Sequence, residues 1–236
     1  MSTFIQRNVA CPHCDHTTIR TVAESLNGPR VPEIQGDLLA GTFQVFTCAH
    51  CRQTYSYDGP LVYVDFDAGH WIAHFPLAWE REWQRYEADA DANYRHTMEE
   101  DAPALTESLA RNLQRRTVFG LEALREKLLV MRAGLDDVAL EVLKFDLLVH
   151  VEGLTLDAAQ RPRLVGATDD ELHFHARPLI DGANPDLVVH VPRARYDEIR
   201  GDERWSAMRE ALSEGRYVDM GRVFFGRRAH AVGAAS

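Results

Sequence analysis

The chain predicts an α+β fold, and three observations carry that class. Before residue 76 the sequence runs in short β-branched and aromatic alternations punctuated by Gly and Pro. From Leu77 to His150 apolar residues recur at helical spacing, and beyond residue 151 both periods occur in turn. The expected organisation is an N-terminal antiparallel sheet over 1–76 and a helical segment over 77–150 packing on it. A small mixed α/β C-terminal module of strand, helix and strand over 151–228 follows, and then a disordered tail over 229–236.

Taken in order, Thr17–Val22 alternates as a strand, and Glu33–Ala40 reads as a short helix after the breakers Asn27-Gly28-Pro29 and Val31-Pro32. Thr42–Thr47, Gln53–Tyr57, Leu61–Asp67 and His70–Phe75 follow as strands, the last three separated by Asp58-Gly59-Pro60 and Asp67-Ala68-Gly69 turns. Trp79, Trp83 and Tyr86 then share a helical stripe, as do Leu105, Leu109 and Leu113 in a helix expected over Ala104–Arg116. Leu121, Leu124, Leu128 and Met131 mark a helix stopped by Gly134. Asp136 or Asp137 caps the next, whose buried face is read as Val138, Val142, Phe145 and Val149. In the last third Leu172–Arg177 and Leu187–Val191 are strands joined through Asp181–Pro185. Tyr196–Leu212 is an amphipathic helix interrupted near Gly201, and Tyr217–Phe225 is expected as a final strand.

All four cysteines fall in two tight pairs, Cys11-Pro12-His13-Cys14 and Cys48-Ala49-His50-Cys51, with 33 residues between Cys14 and Cys48. Thiolates at this spacing suit a tetrahedral divalent cation, each pair forming a knuckle with both sulfurs on one side of the backbone. The reading is one structural Zn2+ held by Cys11, Cys14, Cys48 and Cys51, which makes the N-terminal sheet a zinc ribbon. An iron–sulfur cluster uses the same ligands. The His within Cys11–Cys14 also suggests dithiol redox chemistry, but that motif belongs at a helix start in a thioredoxin-like unit, and here β-rich sequence and a second pair follow. A zinc site that opens on thiol oxidation is a further reading.

Composition narrows the partners. The 236 residues carry 36 acids against 26 Lys and Arg, a formal charge of −10, which disfavours binding to phosphate backbones. Lys127 and Lys144 are the only lysines. Neither a signal-peptide pattern at the N-terminus nor about 18 consecutive apolar residues occurs, so the expectation is a cytoplasmic protein with no membrane segment. Cysteine pairs fit metal sites in that reducing compartment. Arg111, Arg115 and Arg116 make the best basic cluster, with Glu107 one turn before Arg111, as a solvated helix face would have.

His13 and His50 sit at equivalent knuckle tips, where a side chain faces solvent, with a spare ligand or contact residue as the rival reading. His70 and His74 have the i, i+4 spacing of a helical metal pair, but on a strand they stand roughly 13 Å apart and share no ion. His173 and His175 project to one face of their strand, and His190 on the partner strand can approach them. Three imidazoles would make an open, catalytic type of zinc site. Trp79, Trp83 and Tyr86, like Tyr55, Tyr57 and Tyr63, read as core aromatics, with a base-stacking platform as the rival. The patterns of common nucleophilic, nucleotide-binding and metalloprotease motifs are missing.

The Cys-Pro-x-Cys knuckle, the long spacer, the second CxxC after Phe46-Thr47, the Tyr-rich strands and the Phe119–Lys127 helix together resemble the bacterial and archaeal CpXC family over roughly residues 8–145. The resemblance implies a cysteine-rich, zinc-binding domain of uncharacterised role. Cys11, Pro12, Cys14, Cys48 and Cys51 match its pattern, while Ala49 replaces a common proline. Asp15 and Arg52 follow the knuckles in place of Gly, at a cost in strain if those positions need positive φ. The expected role is a non-catalytic zinc-binding interaction or scaffold protein with protein partners. A metal-dependent enzyme, a redox sensor and ribbon-mediated nucleic-acid binding are the alternatives.

Overall fold

The computed structural model describes residues 2–100, 110, 112–152, 154, 161–176 and 187–226. The chain divides into two units, Met1–Arg125 and Glu126–Ser236, and its class is α+β.

In the first unit the strands are β1 (Thr3–Ala10), β2 (Thr17–Asn27), β3 (Val45–Thr47), β4 (Thr54–Ser56), β5 (Leu61–Asp65), β6 (His70–Phe75) and β7 (Gln114–Phe119). Helix α1 (Pro32–Ala40) precedes β3, and α2 (Trp83–Tyr94) follows a 3-10 turn over Leu77–Glu82. Five strands form one sheet in the order β1-β2-β5-β6-β7, and β3 pairs separately with β4. The sheet is mixed, where an antiparallel one is expected from the sequence: β2 runs parallel to β5, and β6 parallel to β7. Both pairs are joined by long crossovers, the first through α1 and the β3–β4 hairpin, the second through α2, and a crossover returns the chain in the same direction. Trp71, Ala73 and Val64 of the sheet pack with Ala90 and Tyr94 of α2, Trp71 meeting Tyr94 edge-on at 5.2 Å.

β1 and β2 form a long antiparallel ribbon whose two faces differ. Ile5, Val9 and Val22 point to the cysteine side and join its apolar cluster. Phe4 and Ile19 lie on the opposite face, 44% and 63% exposed. β1 is missed in the sequence because only Val9 among its eight residues is buried, so it lacks an apolar alternation.

Helix α3 (Leu121–Arg132) carries the division between the units and ends as the sequence predicts. Gly134 takes φ 61°, with Gly134 N–H on the Met131 carbonyl and Leu135 N–H on that of Val130. The second unit continues with α4 (Asp137–His150), β8 (Pro162–Ala167), β9 (Glu171–Ala176), β10 (Leu187–Pro192), α5 (Arg193–Gly201), α6 (Ser206–Ser213) and α7 (Met220–Gly226). Asp136 caps α4 by accepting from Ala139 N–H at 2.8 Å. The three strands form an antiparallel sheet in the order β10-β9-β8. Leu172, Phe174 and Ala176 of β9 are wholly buried in a core with Leu140, Leu143, Tyr196, Ile199, Leu212 and Met220.

Three expectations need correction. Gln114–Phe119, whose first half falls in the expected helix Ala104–Arg116, is strand β7, its β-branched and aromatic end paired with β6; the bulk of that helix, with Glu107 and Arg111, lies outside the described residues. The expected strand Tyr217–Phe225 is largely helix α7. Asp219 caps it, its Oδ1 accepting from Gly221 N–H at 2.7 Å, and the β-forming run Val223–Phe225 concealed that cap. The buried face of α4 is also far wider than read: Glu141, Lys144 and Asp146 are buried while Val149 is 65% exposed. The turn Asp181–Pro185 and the tail 229–236 lie outside the described residues.

Candidate metal centre

The two cysteine pairs build the same local structure twice. Cys11 carbonyl accepts from Asp15 N–H at 2.9 Å and Cys48 carbonyl from Arg52 N–H at 3.0 Å, so each pair is wound into one turn. Each turn is then closed from outside, Cys11 N–H donating to His16 carbonyl at 3.0 Å and Cys48 N–H to Gln53 carbonyl at 2.9 Å. Asp15 and Arg52 occupy the fourth place after the leading cysteine in each and take φ 57° and 63°. This left-handed conformation, which favours Gly, is the strain foreseen from the sequence, and it turns the chain back so that the next residue's carbonyl meets the leading cysteine's N–H.

Cys11 Sγ lies 3.7 Å from Cys51 Sγ, and Cys14 Sγ 3.7 Å from Cys48 Sγ. Sulfurs bonded to each other would be about 2.05 Å apart. Four sulfurs on one zinc at about 2.3 Å stand at the corners of a tetrahedron of edge about 3.8 Å. All four Sγ atoms fall within 4.8 Å of one another, and the four residues could hold one metal ion. Each metal-facing pair takes one cysteine from each knuckle, so the cluster ties β1–β2 to the β3–β4 hairpin across 40 and 34 residues.

The protein supplies positive dipoles to these sulfurs. Backbone N–H groups of Cys51 and His50 hold the Cys48 thiol down at about 6. The His16 N–H acts the same way on Cys14, but burial beside three other sulfurs outweighs it and pushes that thiol up to about 12. Burial likewise raises Cys11. Crowded thiols share protons in the absence of a cation, and a divalent ion removes that conflict by stabilising every thiolate at once. Val9, Val22 and Tyr55 close over the cluster, and Arg20 donates to Thr47 carbonyl at 2.9 Å while its guanidinium lies over the Phe46 ring.

The other candidate residues sort themselves around this centre. His13 and His50 are exposed knuckle tips, as read; His50 stacks on His16 with centroids 5.4 Å apart. His74 is buried, its Nδ1 3.1 Å from Gly59 carbonyl oxygen and its Nε2 3.0 Å from an Asp58 carboxylate oxygen, so it serves the turn and not His70. Tyr55, Tyr63 and Trp83 are buried, which makes them core, and Trp79 stacks on Tyr86 at 4.8 Å against Phe75. Arg115 and Arg116 are neighbours on β7 and project to opposite faces, and Arg115 is engaged by Asp91 at 3.4 Å and the Tyr94 ring. The helical basic face expected there does not form among the described residues.

In the second unit His173 and His190 do come together, opposite each other in the β9–β10 register with ring centroids 4.6 Å apart. The expected third member, His175, pairs instead with Val188, and its place in the group falls to Glu171. The sequence contained that signal, since Glu171 sits two residues before His173 on the same strand face.

A group that sequence reasoning missed entirely is buried in the same unit. Lys144 Nζ lies 2.7 Å from Glu126 and 2.8 Å from Glu141, and Lys127 Nζ lies 3.0 Å from Asp137. Arg163 reaches Glu126 at 2.8 Å and Asp219 at 2.6 Å, and Arg161 reaches Asp219 at 3.2 Å. Backbone N–H groups of Leu164 and Met220 complete the coordination of Glu126 and Glu141. Glu126, Glu141 and Asp219 approach one another closely enough for a metal site, but the four cations already neutralise them. Both lysines of the chain are consumed in this network.

No curated protein and no solved structure matches the chain. Among the described residues, no helix is long and apolar enough to cross a membrane. The sequence profile described as CpXC protein matches residues 9–144, a span that takes in both knuckles and more than half of the chain. The chain belongs to the CpXC family.

Proposed function

We propose that the four cysteines hold one structural Zn2+ and that the protein is a non-catalytic interaction or scaffold protein of the cytoplasm, with other proteins as its partners. The observation that carries the metal reading is the pair of 3.7 Å Sγ–Sγ edges joining two equivalent knuckles, the separation that tetrahedral zinc thiolate requires. Four protein ligands leave no open coordination position, so such an ion acts by folding the ribbon and does not activate water. A reading in terms of protein partners draws support from the β1–β2 ribbon. Its cysteine-side face packs Ile5, Val9 and Val22 into the apolar cluster, and its other face presents Phe4 and Ile19 to solvent. The acid-rich composition disfavours nucleic acid.

Metal analysis of the full chain purified under reducing conditions tests this. The expected result is one zinc per chain, lost in Cys14→Ser and in Cys48→Ser; a metal-free wild type, or iron in its place, overturns the assignment. Cross-linking from the native cell, comparing wild type with Ile19→Asp, tests the partner reading: a protein captured by wild type and lost in the variant supports it, and equal capture places the contact elsewhere.

A further inference from the structure

We propose that Glu171, His173 and His190 form a second metal site, open to solvent, for a single borderline divalent cation of the zinc, cobalt or nickel type. Antiparallel pairing sets His190 directly across from His173, and Glu171 projects from β9 on the same face. The strand is fixed from behind, because Leu172 and Phe174 are wholly buried and Val191 nearly so. The ligands therefore stand on rigid backbone, as a preformed site requires.

The distances decide between an ion pair and a metal site. Glu171 Oε2 lies 3.4 Å from His173 Nε2 and 3.5 Å from His190 Nδ1. Charge-assisted hydrogen bonds between nitrogen and carboxylate close to about 2.7–2.9 Å, and neither contact does so. Ligands held about 2.0–2.1 Å from a tetrahedral zinc stand about 3.3–3.4 Å apart, which is the separation found. One carboxylate oxygen stands off two imidazoles by the width that an ion between them occupies. The three ligand atoms fall within 4.8 Å of one another. Gly166 lies opposite His173 on β8, so no side chain covers the ring from that strand.

Two imidazoles and one carboxylate select zinc, cobalt or nickel over calcium and magnesium, which prefer all-oxygen shells. Three protein ligands leave a fourth position to water, in contrast to the closed cysteine centre. The site thus binds its ion exchangeably, with Glu171 and His190 exposed and His173 half-buried.

Equilibrium dialysis of the reduced full chain against excess Zn2+ near neutral pH, followed by metal counting, tests the proposal. Wild type is expected to take up one equivalent beyond the one that Cys14→Ser removes. His173→Ala and His190→Ala are each expected to weaken that second equivalent by at least about 100-fold, while His175→Ala retains it. All three ligands face solvent, so circular dichroism and thermal unfolding of the metal-free variants should match wild type. A wild type that takes up no second equivalent overturns the proposal, as does a second equivalent that survives in the His173→Ala, His190→Ala double variant. The cysteine assignment is read separately through Cys14→Ser, so either site can fail alone.

Discussion

The cysteine-bearing ribbon and hairpin of the first unit and the core of the second are held in opposite ways. In Met1–Arg125 the ribbon and the β3–β4 hairpin meet over a small apolar cluster of Val9, Val22, Tyr55 and the cysteines themselves, and the tie between them is four sulfurs. In Glu126–Ser236 a broad core of more than a dozen buried apolar residues surrounds a network of four acids and four bases. The first arrangement places few demands on the rest of the sequence, because one ion supplies what a small core lacks. The second demands that every charged partner be present, because each buried charge is tolerable only beside its opposite. A metal-stapled region fails when one external component is withdrawn, and a charge-stapled region fails when any one of its own side chains is changed.

The largest expected effect follows from withdrawing the ion. Apparent binding free energies for structural zinc at neutral pH are on the order of 10 kcal/mol, comparable to the whole stability of a domain. A strong chelator should therefore abolish amide-exchange protection across Val9–Val22 and Phe43–Tyr57, with protection over Leu140–Leu148 retained. Equal loss in both segments would break the contrast.

Next comes Lys144→Met. Lys144 is wholly buried between Glu126 and Glu141, and its removal leaves Arg163 as the cation beside Glu126 and the more distant Lys127 as the cation beside Glu141. A destabilisation of about 3–5 kcal/mol in denaturant unfolding of the second unit is expected, with metal content unchanged. The same burial is checked without mutation: an amine-reactive ester should modify only the α-amino group of the native chain and gain two sites on unfolding, since Lys127 and Lys144 are the only lysines.

Acid offers a graded version of that experiment. Though burial works against it, Asp219 is held well below the usual carboxylate range by Arg163 and Arg161, and Glu126 is likewise depressed by Lys144 and Arg163. Groups whose folded pKa is lowered contribute stability that is present above the unfolded value and lost as pH falls towards the folded one. Burial raises Glu141 instead, so its contribution runs the other way: it is fully present below the ordinary carboxylate range and adds no slope there. Two carboxylates of the network then remain, and unfolding free energy of the second unit should fall with pH below about pH 4, their combined slope steepening towards a limit of about 2.7 kcal/mol per pH unit. A flat profile there would mean that the network does not stabilise the ionised forms.

The contrast also explains what the sequence disclosed. Cys11, Cys14, Cys48 and Cys51 were legible because a metal site requires a fixed residue type at fixed spacing, and that pattern survives without knowledge of the fold. The charge network was not legible, because Glu126, Lys127, Glu141 and Lys144 fall at ordinary helical intervals that read as a solvated face. Only long-range packing makes them buried. The same asymmetry governs elements. Asp136 and Gly134 announce the ends of α4 and α3 locally, whereas the parallel pairing of β6 with β7 depends on a crossover whose length no residue encodes. His173 and His190 stand out by residue type, whereas Glu171 is one of 36 acids and only its place on the strand face marks it as a ligand.

The smallest effect tests the knuckles themselves. Asp15 and Arg52 both hold positive φ, a conformation that costs an L-residue roughly 1–2 kcal/mol and Gly almost nothing. Replacement by Gly removes that strain but adds about 0.5–1 kcal/mol of backbone entropy in the unfolded chain. Asp tolerates the left-handed region better than Arg, through local hydrogen bonds of its short side chain. Arg52→Gly should therefore stabilise the zinc-loaded first unit by about 0.5–1 kcal/mol, and Asp15→Gly by less or not at all. If zinc forces the turn, the gain in Arg52→Gly appears also as tighter metal binding, about two- to fivefold in competition with a chromogenic chelator. If the hydrogen bonds from Cys11 to His16 and from Cys48 to Gln53 already fix the turn, stability rises with zinc affinity unchanged. The ratio of the two readouts separates what the metal organises from what the backbone has organised before it arrives.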